Sequence, residues 1–171
     1  MYTKEQVYQK FIVKYLLENS YTTKEKAIEI LTSNPYLLID ENFITYNAYL
    51  NRNYNSKEGS YVWNIELRDE RPVDYDKDQD TYRAYAYATV DAKTGKILSY
   101  NSSVRNYYNR SKGEWLPVEI KYDREYGKKV FEKFLTSEAK DRFNKTKLAE
   151  EHDGYVAYYN EKNEPVYGGY S

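Results

Sequence analysis

The sequence contains no cysteine, a single histidine and a single methionine. Without cysteine it has no disulfides and no thiolate metal ligands, and one histidine cannot complete an H-E-x-x-H zinc motif. The G-x-S-x-G motif of many serine hydrolases and the glycine-rich phosphate loops of nucleotide enzymes are also missing. These absences argue against the common nucleophile, zinc and nucleotide chemistries. A paired-carboxylate glycosidase stays open, because 27 acidic residues offer many pairs, but no acid lies in an apolar run that would raise its pKa. We therefore expect a protein that is not an enzyme and carries no cofactor.

Long apolar runs and one-sided charge are absent as well. No stretch of about 18 apolar residues occurs, so the sequence predicts no membrane span, and the first residues lack the apolar core of a signal peptide. The chain carries 26 Lys and Arg against 27 Asp and Glu, for a formal net charge of −1. Because the two signs are interleaved, we expect neither nucleic acid nor an anionic lipid surface as the main partner.

Tyrosine is what the sequence has in excess. The 171 residues include 23 Tyr but only 5 Phe, and aromatic residues make up 18% of the chain. A Tyr ring packs while its hydroxyl stays hydrated, which suits half-buried strands and binding surfaces. Codon bias toward A and T, and the ordinary preference of aromatic residues for strands, account for the same excess.

Two capping-box patterns predict helices near the N-terminus. Thr3 with Gln6 opens the first helix, over 3–18, and Thr22 with Glu25 opens a shorter second helix. The apolar stripe expected on the first helix consists of Val7, Phe11 and Tyr15.

Alternating patterns then predict four antiparallel strands. The expected strands cover 42–50, 61–67, 81–91 and 96–101. Their expected core residues are Ile44, Leu50, Trp63, Ile65, Leu67, Ala86, Val90 and Leu98, covered by Ile28 and Leu31. The last two strands meet in a hairpin, in which Asp91 holds the turn with its side chain and Gly95 takes the left-handed position.

Further along, the pattern starts again with a helix. Residues 106–119 are expected to form a linker, a helix resumes at about Asp123, and two short strands end the sequence. The lone His152 is expected at the C-terminus of a helix. The predicted organisation is an N-terminal helix (1–19), a complete unit (20–105), the linker (106–119) and a partial second unit (120–171).

A combination of three motifs resembles the YcdB/YcdC-type repeat, a relative of the PepSY domains of bacterial envelope proteins. These motifs are a helix start, a strand with a Trp and a V-D-x-x-T-G-x-I hairpin, found here as Thr23 to Ala27, Trp63, Val90, Asp91, Thr94, Gly95 and Ile97. The final residues match the family's closing hairpin at Asn163, Pro165 and Val166, with Glu164 where Gly is usual and without the family's Arg.

The resemblance implies an α+β fold with helices packed on one face of an antiparallel sheet of about four strands, as one full unit and a partial second one. It also implies a non-catalytic interaction module, extracellular or in the envelope of a bacterium, with its signal or anchor outside this chain. Such a module binds a protein and regulates or inhibits a peptidase. An open sheet edge that recruits an extended peptide is the expected mechanism.

The residues also leave two further hypotheses open. A glycan- or surface-layer-binding module would use a Tyr platform, and the candidates for it are Tyr85, Tyr87, Tyr100, Tyr107 and Tyr108; cross-strand Tyr packing accounts for the same pattern. The alternating Asp74, Asp76, Asp78 and Asp80 resemble the start of a calcium loop. A solvated acidic loop is the simpler interpretation, since the Gly and the Glu of an EF-hand are missing.

Overall fold

The structure is a computed structural model, and it describes residues 3–19, 21–37, 39–53, 60–73, 78–118, 122–152 and 155–170. The helices in these ranges are α1 (Lys4–Glu18), α2 (Lys24–Thr32) and α3 (Arg124–Phe143). The strands are β1 (Phe43–Arg52), β2 (Tyr61–Asp69), β3 (Gln79–Tyr82), β4 (Tyr85–Asp91), β5 (Ile97–Ser102), β6 (Asn106–Asn109), β7 (Glu114–Trp115), β8 (Lys147–His152), β9 (Tyr155–Tyr159) and β10 (Pro165–Tyr170).

The expected α+β class is wrong, because the chain is mostly β. Among the described residues, strands account for 39% and helices for 28%. The described strands form three sheets, ordered β1-β2-β4-β5, β3-β6-β7 and β10-β9-β8. The two short strands predicted at the end of the sequence are found as β9 and β10. The prediction missed β6, β7 and β8, which are short and polar: the expected linker at 106–119 contributes β6 and β7, and β8 is rich in charge.

The chain divides into two compact units, Met1–Pro117 and Val118–Ser171. In the second unit, Asp123 caps α3 by accepting a hydrogen bond from the Tyr126 amide at 2.8 Å. Leu135 of α3 is buried with Val156 and Tyr158 of β9. The lone His152 lies at the end of strand β8, so its predicted position at a helix C-terminus is wrong.

In the first unit the two N-terminal helices form where they were expected. Thr3 and Gln6 exchange side chain to backbone hydrogen bonds at 3.0 and 3.2 Å, which confirms the capping box of α1. Helix α2 is capped by Thr23, not by Thr22. The predicted apolar stripe of α1 is exposed: the exposed fractions of Val7, Phe11 and Tyr15 are 42%, 74% and 60%.

The core of the first unit lies between α2 and the four-stranded sheet. Six of the eight strand residues expected there are buried, together with Leu31 of α2, and the six are Leu50, Trp63, Ile65, Leu67, Ala86 and Val90. The Trp63 indole N–H donates to the carbonyl of Thr22 at 2.8 Å, so the ring is buried with its polar group satisfied.

Ile44 and Leu98 were expected in this core, but their exposed fractions are 48% and 51%. The register is irregular close to both residues. In β1 it shifts between Thr45 and Asn47, and in β5 it shifts between Ile97 and Ser99. One extra residue reverses the alternation of faces, so Ile44 turns outward, and Ile97 takes the buried place expected for Leu98.

Strands β3 to β6 form one long hairpin. The half near its tip, β4 and β5, belongs to the four-stranded sheet, and the half near its base, β3 and β6, belongs to a three-stranded sheet. The register of β3 with β6 continues that of β4 with β5 across the gap between Tyr82 and Tyr85. At its tip, Asp91 Oδ1 accepts hydrogen bonds from the backbone N–H groups of Lys93 and Thr94, and Gly95 has a φ of +70°. The predicted hairpin is therefore confirmed, whereas the predicted continuous strand 81–91 is divided in two.

A buried carboxylate lies where the hairpin leaves the four-stranded sheet. Asp69 ends β2 with no exposed surface, and its carboxylate accepts the fork of the Arg71 guanidinium at 2.7 to 3.0 Å. Arg105, which precedes β6, reaches the same carboxylate at 3.2 Å. The hydrogen bonds from Arg71 outweigh the effect of burial and lower the pKa of Asp69 to about 2.

This pKa predicts how stability depends on pH. The folded-state pKa of Asp69 lies below its ordinary value of 3.8, so the stabilisation is complete above about pH 4 and is lost as the pH falls toward 2. We expect Asp69→Asn to lower the free energy of unfolding by about 3 kcal/mol at pH 7, since Arg105, whose side chain is only 10% exposed, loses its ionic partner. Urea unfolding at pH 7 and pH 3 measures both effects.

The matched control is Asp80→Asn, which removes an ion pair with Arg110 at 3.2 Å on the surface. Surface pairs contribute roughly 0 to 1 kcal/mol, so this variant should unfold almost like the wild type at both pH values. Equal losses of stability in the two variants would contradict the role assigned to Asp69.

Candidate functional site

One face of the four-stranded sheet lies opposite the core and is built of tyrosine and polar residues. Antiparallel partners share a face, and the register places these side chains together: Tyr49, Asn64, Glu66, Arg68, Tyr85, Tyr87, Thr89, Ser99 and Asn101. We call this surface the outer face. Tyr49, Tyr85 and Tyr87 are 44%, 40% and 48% exposed, although they are large aromatic side chains.

The structure divides the five predicted platform tyrosines among three places. Tyr85 and Tyr87 lie on the outer face with ring centroids 5.2 Å apart. Tyr100 lies on the core side of the sheet, where its hydroxyl donates to the Leu37 carbonyl at 2.9 Å and burial raises its pKa. Tyr107 and Tyr108 are neighbours on β6 in another sheet. The five therefore do not form one platform.

A hydrogen-bonded network fixes the centre of the outer face. Glu66 accepts from Arg68 at 2.9 and 3.0 Å and from the Tyr87 hydroxyl at 3.2 Å. The Arg68 guanidinium carbon lies 3.2 Å from the centre of the Tyr46 ring. The hydrogen bond to Glu66 raises the pKa of Tyr87. Glu66 and Arg68 compensate each other's charge, and the Tyr87 ring is held in place beside them.

Beside this network lies a shallow depression of about 200 Å³. Seven residues of the outer face line it: Tyr49, Asn64, Glu66, Tyr87, Thr89, Ser99 and Asn101. Thr89 donates to the Asn64 side-chain oxygen at 3.3 Å, which fixes the two polar groups. Aromatic rings beside fixed polar groups are the composition found in sites for small ligands.

Sequence reasoning missed other exposed aromatic residues. Tyr49 alternates with Leu50 and could have been assigned to the outer face from that pattern. Trp115 gave no such signal, because it lies in the stretch predicted as a linker. It is 57% exposed, and its ring centroid lies 5.0 Å from that of Tyr82 and 5.2 Å from that of Tyr108.

The acidic segment considered for calcium is only partly described. Asp74 and Asp76 lie outside the described residues. Asp78 accepts a hydrogen bond from the Ser111 hydroxyl at 2.7 Å, and Asp80 pairs with Arg110 at 3.2 Å. Among the residues that the structure describes, no three His, Asp or Glu side chains are grouped so that they could hold a metal ion.

Strand β5 has an open edge. In the described part of the chain it pairs with β4 alone. The Ser103 amide donates to the Tyr85 carbonyl at 2.9 Å, and the antiparallel pattern alternates from there. The backbone N–H and C=O groups of Tyr100 and Ser102 therefore point away from β4, toward the edge.

The sequence matches no protein-family model and no curated protein, and the fold matches no solved structure. Among the helices in the described ranges, none has both the length and the apolar character that crossing a membrane requires.

We expect the tyrosines of the outer face to contribute little to folding. Tyr87→Ala removes a ring that is half exposed, so the free energy of unfolding should fall by less than about 1 kcal/mol. Trp63→Ala, the matched control on the core side, should lower it by about 4 kcal/mol, since that ring is buried. Urea denaturation of both variants tests this, and a loss for Tyr87→Ala as large as that for Trp63→Ala would show a structural role.

Proposed function

We propose that this chain is a non-catalytic interaction module of the bacterial cell envelope or the extracellular space, which binds a protein partner. On this proposal it belongs with the YcdB/YcdC-type repeats and PepSY domains that its helix start, Trp strand and hairpin resemble. The partner adds an extended segment to the edge of β5, and the proposed consequence is the regulation or inhibition of a peptidase.

The observation that carries this proposal is that the chain itself adds a strand to the same edge. β5 and β6 are two parts of one hairpin arm, with β4 and β3 on its inner side. Strand β7 pairs with β6 on the opposite side, which is the side that β5 leaves open. A peptide along β5 would extend this pattern with the same kind of backbone hydrogen bonds.

The residues of β5 also favour a partner strand. The sequence of β5, Ile-Leu-Ser-Tyr-Asn-Ser, has no charge and no proline, whereas exposed edges are commonly protected by such residues. Leu98 and Val104 are 51% and 59% exposed beside this edge. They would contact apolar side chains of an added segment.

The other edge of the same sheet is less suited to strand addition. Strand β1 is irregular between Thr45 and Asn47, and irregular edges pair poorly. Gln9 of α1 donates a side-chain hydrogen bond to the Leu50 carbonyl at 3.0 Å. Of the two edges, β5 is therefore the one assigned to the partner.

Replacing Ser102 by proline tests this assignment. Ser102→Pro removes an N–H that points toward the edge and that the sheet does not use, so the fold should persist. The immobilised chain is exposed to the secreted-protein fraction of the source cells, and retained proteins are identified by mass spectrometry. We expect a peptidase to be retained by the wild type and its retention to fall about tenfold for Ser102→Pro.

Ser102→Ala is the matched control, because it also loses the hydroxyl but keeps the N–H, and it should retain the partner fully. On binding, amide exchange at Tyr100 and Ser102 should slow in the wild type. Equal retention by the proline and alanine variants would exclude strand addition at β5. A retained peptidase whose activity is unchanged by the chain would exclude the inhibitory role.

A further inference from the structure

The depression on the outer face has polar groups that folding leaves available. Within the described part of the chain, the side chains of Ser99 and Asn101 have no hydrogen-bond partner, and both are exposed. Both lie on the same wall of the depression, since Asn101 is two residues beyond Ser99 on β5. They present a hydroxyl and an amide, which both donate and accept hydrogen bonds.

The charge of the depression favours a neutral ligand. Its one ionisable carboxylate belongs to Glu66, which is 2.9 Å from the Arg68 guanidinium and is therefore compensated. The remaining polar side chains that line the depression are the neutral Asn64, Thr89, Ser99 and Asn101. An anionic ligand would find no uncompensated cation, and a cationic one no uncompensated acid.

The aromatic side chains favour a ligand with an apolar surface of its own. Tyr49 and Tyr87 both line the depression and are close to half exposed. The Tyr87 ring is fixed by its hydroxyl's hydrogen bond to Glu66 at 3.2 Å, so little side-chain entropy is lost when a ligand packs against it. A pyranose ring combines such an apolar C–H surface with a rim of hydroxyls.

We propose that this depression is a subsite for one ring of a neutral oligosaccharide. Tyr87 and Tyr49 pack against the sugar ring, and Ser99, Asn101 and Asn64 bind its hydroxyl or acetamido groups. The subsite uses side chains of the outer face, whereas the strand-addition edge uses the backbone groups of Tyr100 and Ser102.

The volume sets the size of the ligand. A depression of about 200 Å³ is smaller than the clefts of roughly 300 to 1,000 Å³ that enclose drug-sized ligands. It therefore fits one ring of a longer chain, which extends along the open surface of the sheet. We expect weak binding by each copy of the chain.

Titration with defined sugars tests the proposal. Chitotetraose and cellotetraose are the neutral probes, and tetragalacturonate is the anionic probe. Amide chemical shifts of the full chain are followed by NMR, with affinity from calorimetry. We expect at least one neutral probe to shift the amides of Asn64, Thr89, Ser99 and Asn101, and tetragalacturonate to leave them unchanged. Tyr87→Ala should weaken the neutral probe about tenfold.

Control variants show whether the loss of affinity is specific to this depression. Tyr122→Ala removes an equally exposed tyrosine from the second unit and should leave the affinity unchanged. Ser102→Pro should also leave it unchanged, so failure of either proposed site is distinguishable from failure of the other. Tyr87→Phe keeps the ring and should retain most of the affinity.

The proposal is overturned if neither neutral tetrasaccharide shifts the four amides. It is equally overturned if tetragalacturonate binds as tightly as the neutral probes, or if Tyr87→Ala binds them as well as the wild type does.

Discussion

The ion pairs of Asp69 with Arg71 and Arg105 determine how the first unit is arranged. β2 pairs with β4 and ends at Asp69. Beyond that point, among the described strands, β3 pairs only with β6 and no strand takes the place of β2 beside it. The buried carboxylate of Asp69 binds two guanidinium groups. Arg71 follows β2 and Arg105 precedes β6, so the two ion pairs lie where the hairpin passes from one sheet to the other. The Asp69 amide also donates to the Ala84 carbonyl at 3.0 Å. Together these contacts let one hairpin belong to two sheets.

β5 contributes to two surfaces because side chains and backbone groups alternate along a strand. Ser99 and Asn101 present their side chains to the outer face while their backbone groups pair with β4. Tyr100 and Ser102 do the opposite, with open backbone groups at the edge. A strand of six residues therefore offers side chains to one ligand and hydrogen-bonding backbone to another, and single substitutions separate the two.

Local signals in the sequence predicted much of the first unit. Both N-terminal helices, the hairpin at Asp91 and most of the core follow from capping patterns, turn chemistry and alternation. Irregularities that shift the register are invisible to such reasoning, which is why Ile44 and Leu98 were placed in the core. The class was missed because β6, β7 and β8 are stabilised by their partner strands and not by an apolar pattern of their own. The candidate site was found in part: Tyr85 and Tyr87 were named, but only the pairing of strands brings Tyr49 and Asn101 beside them.

The long hairpin also affects how the chain folds. If pairing begins at the tip near Gly95, each further pair of the register closes a loop only slightly longer than the last. Added loop entropy is small at each step, and contacts that are close in sequence form fastest. The chain can therefore complete the hairpin before β2 pairs with β4. In that order of events β5 is paired with β4 on one side and open on the other before the sheet is complete. Two chains that meet before their sheets are complete can then contact each other along the open edge of β5.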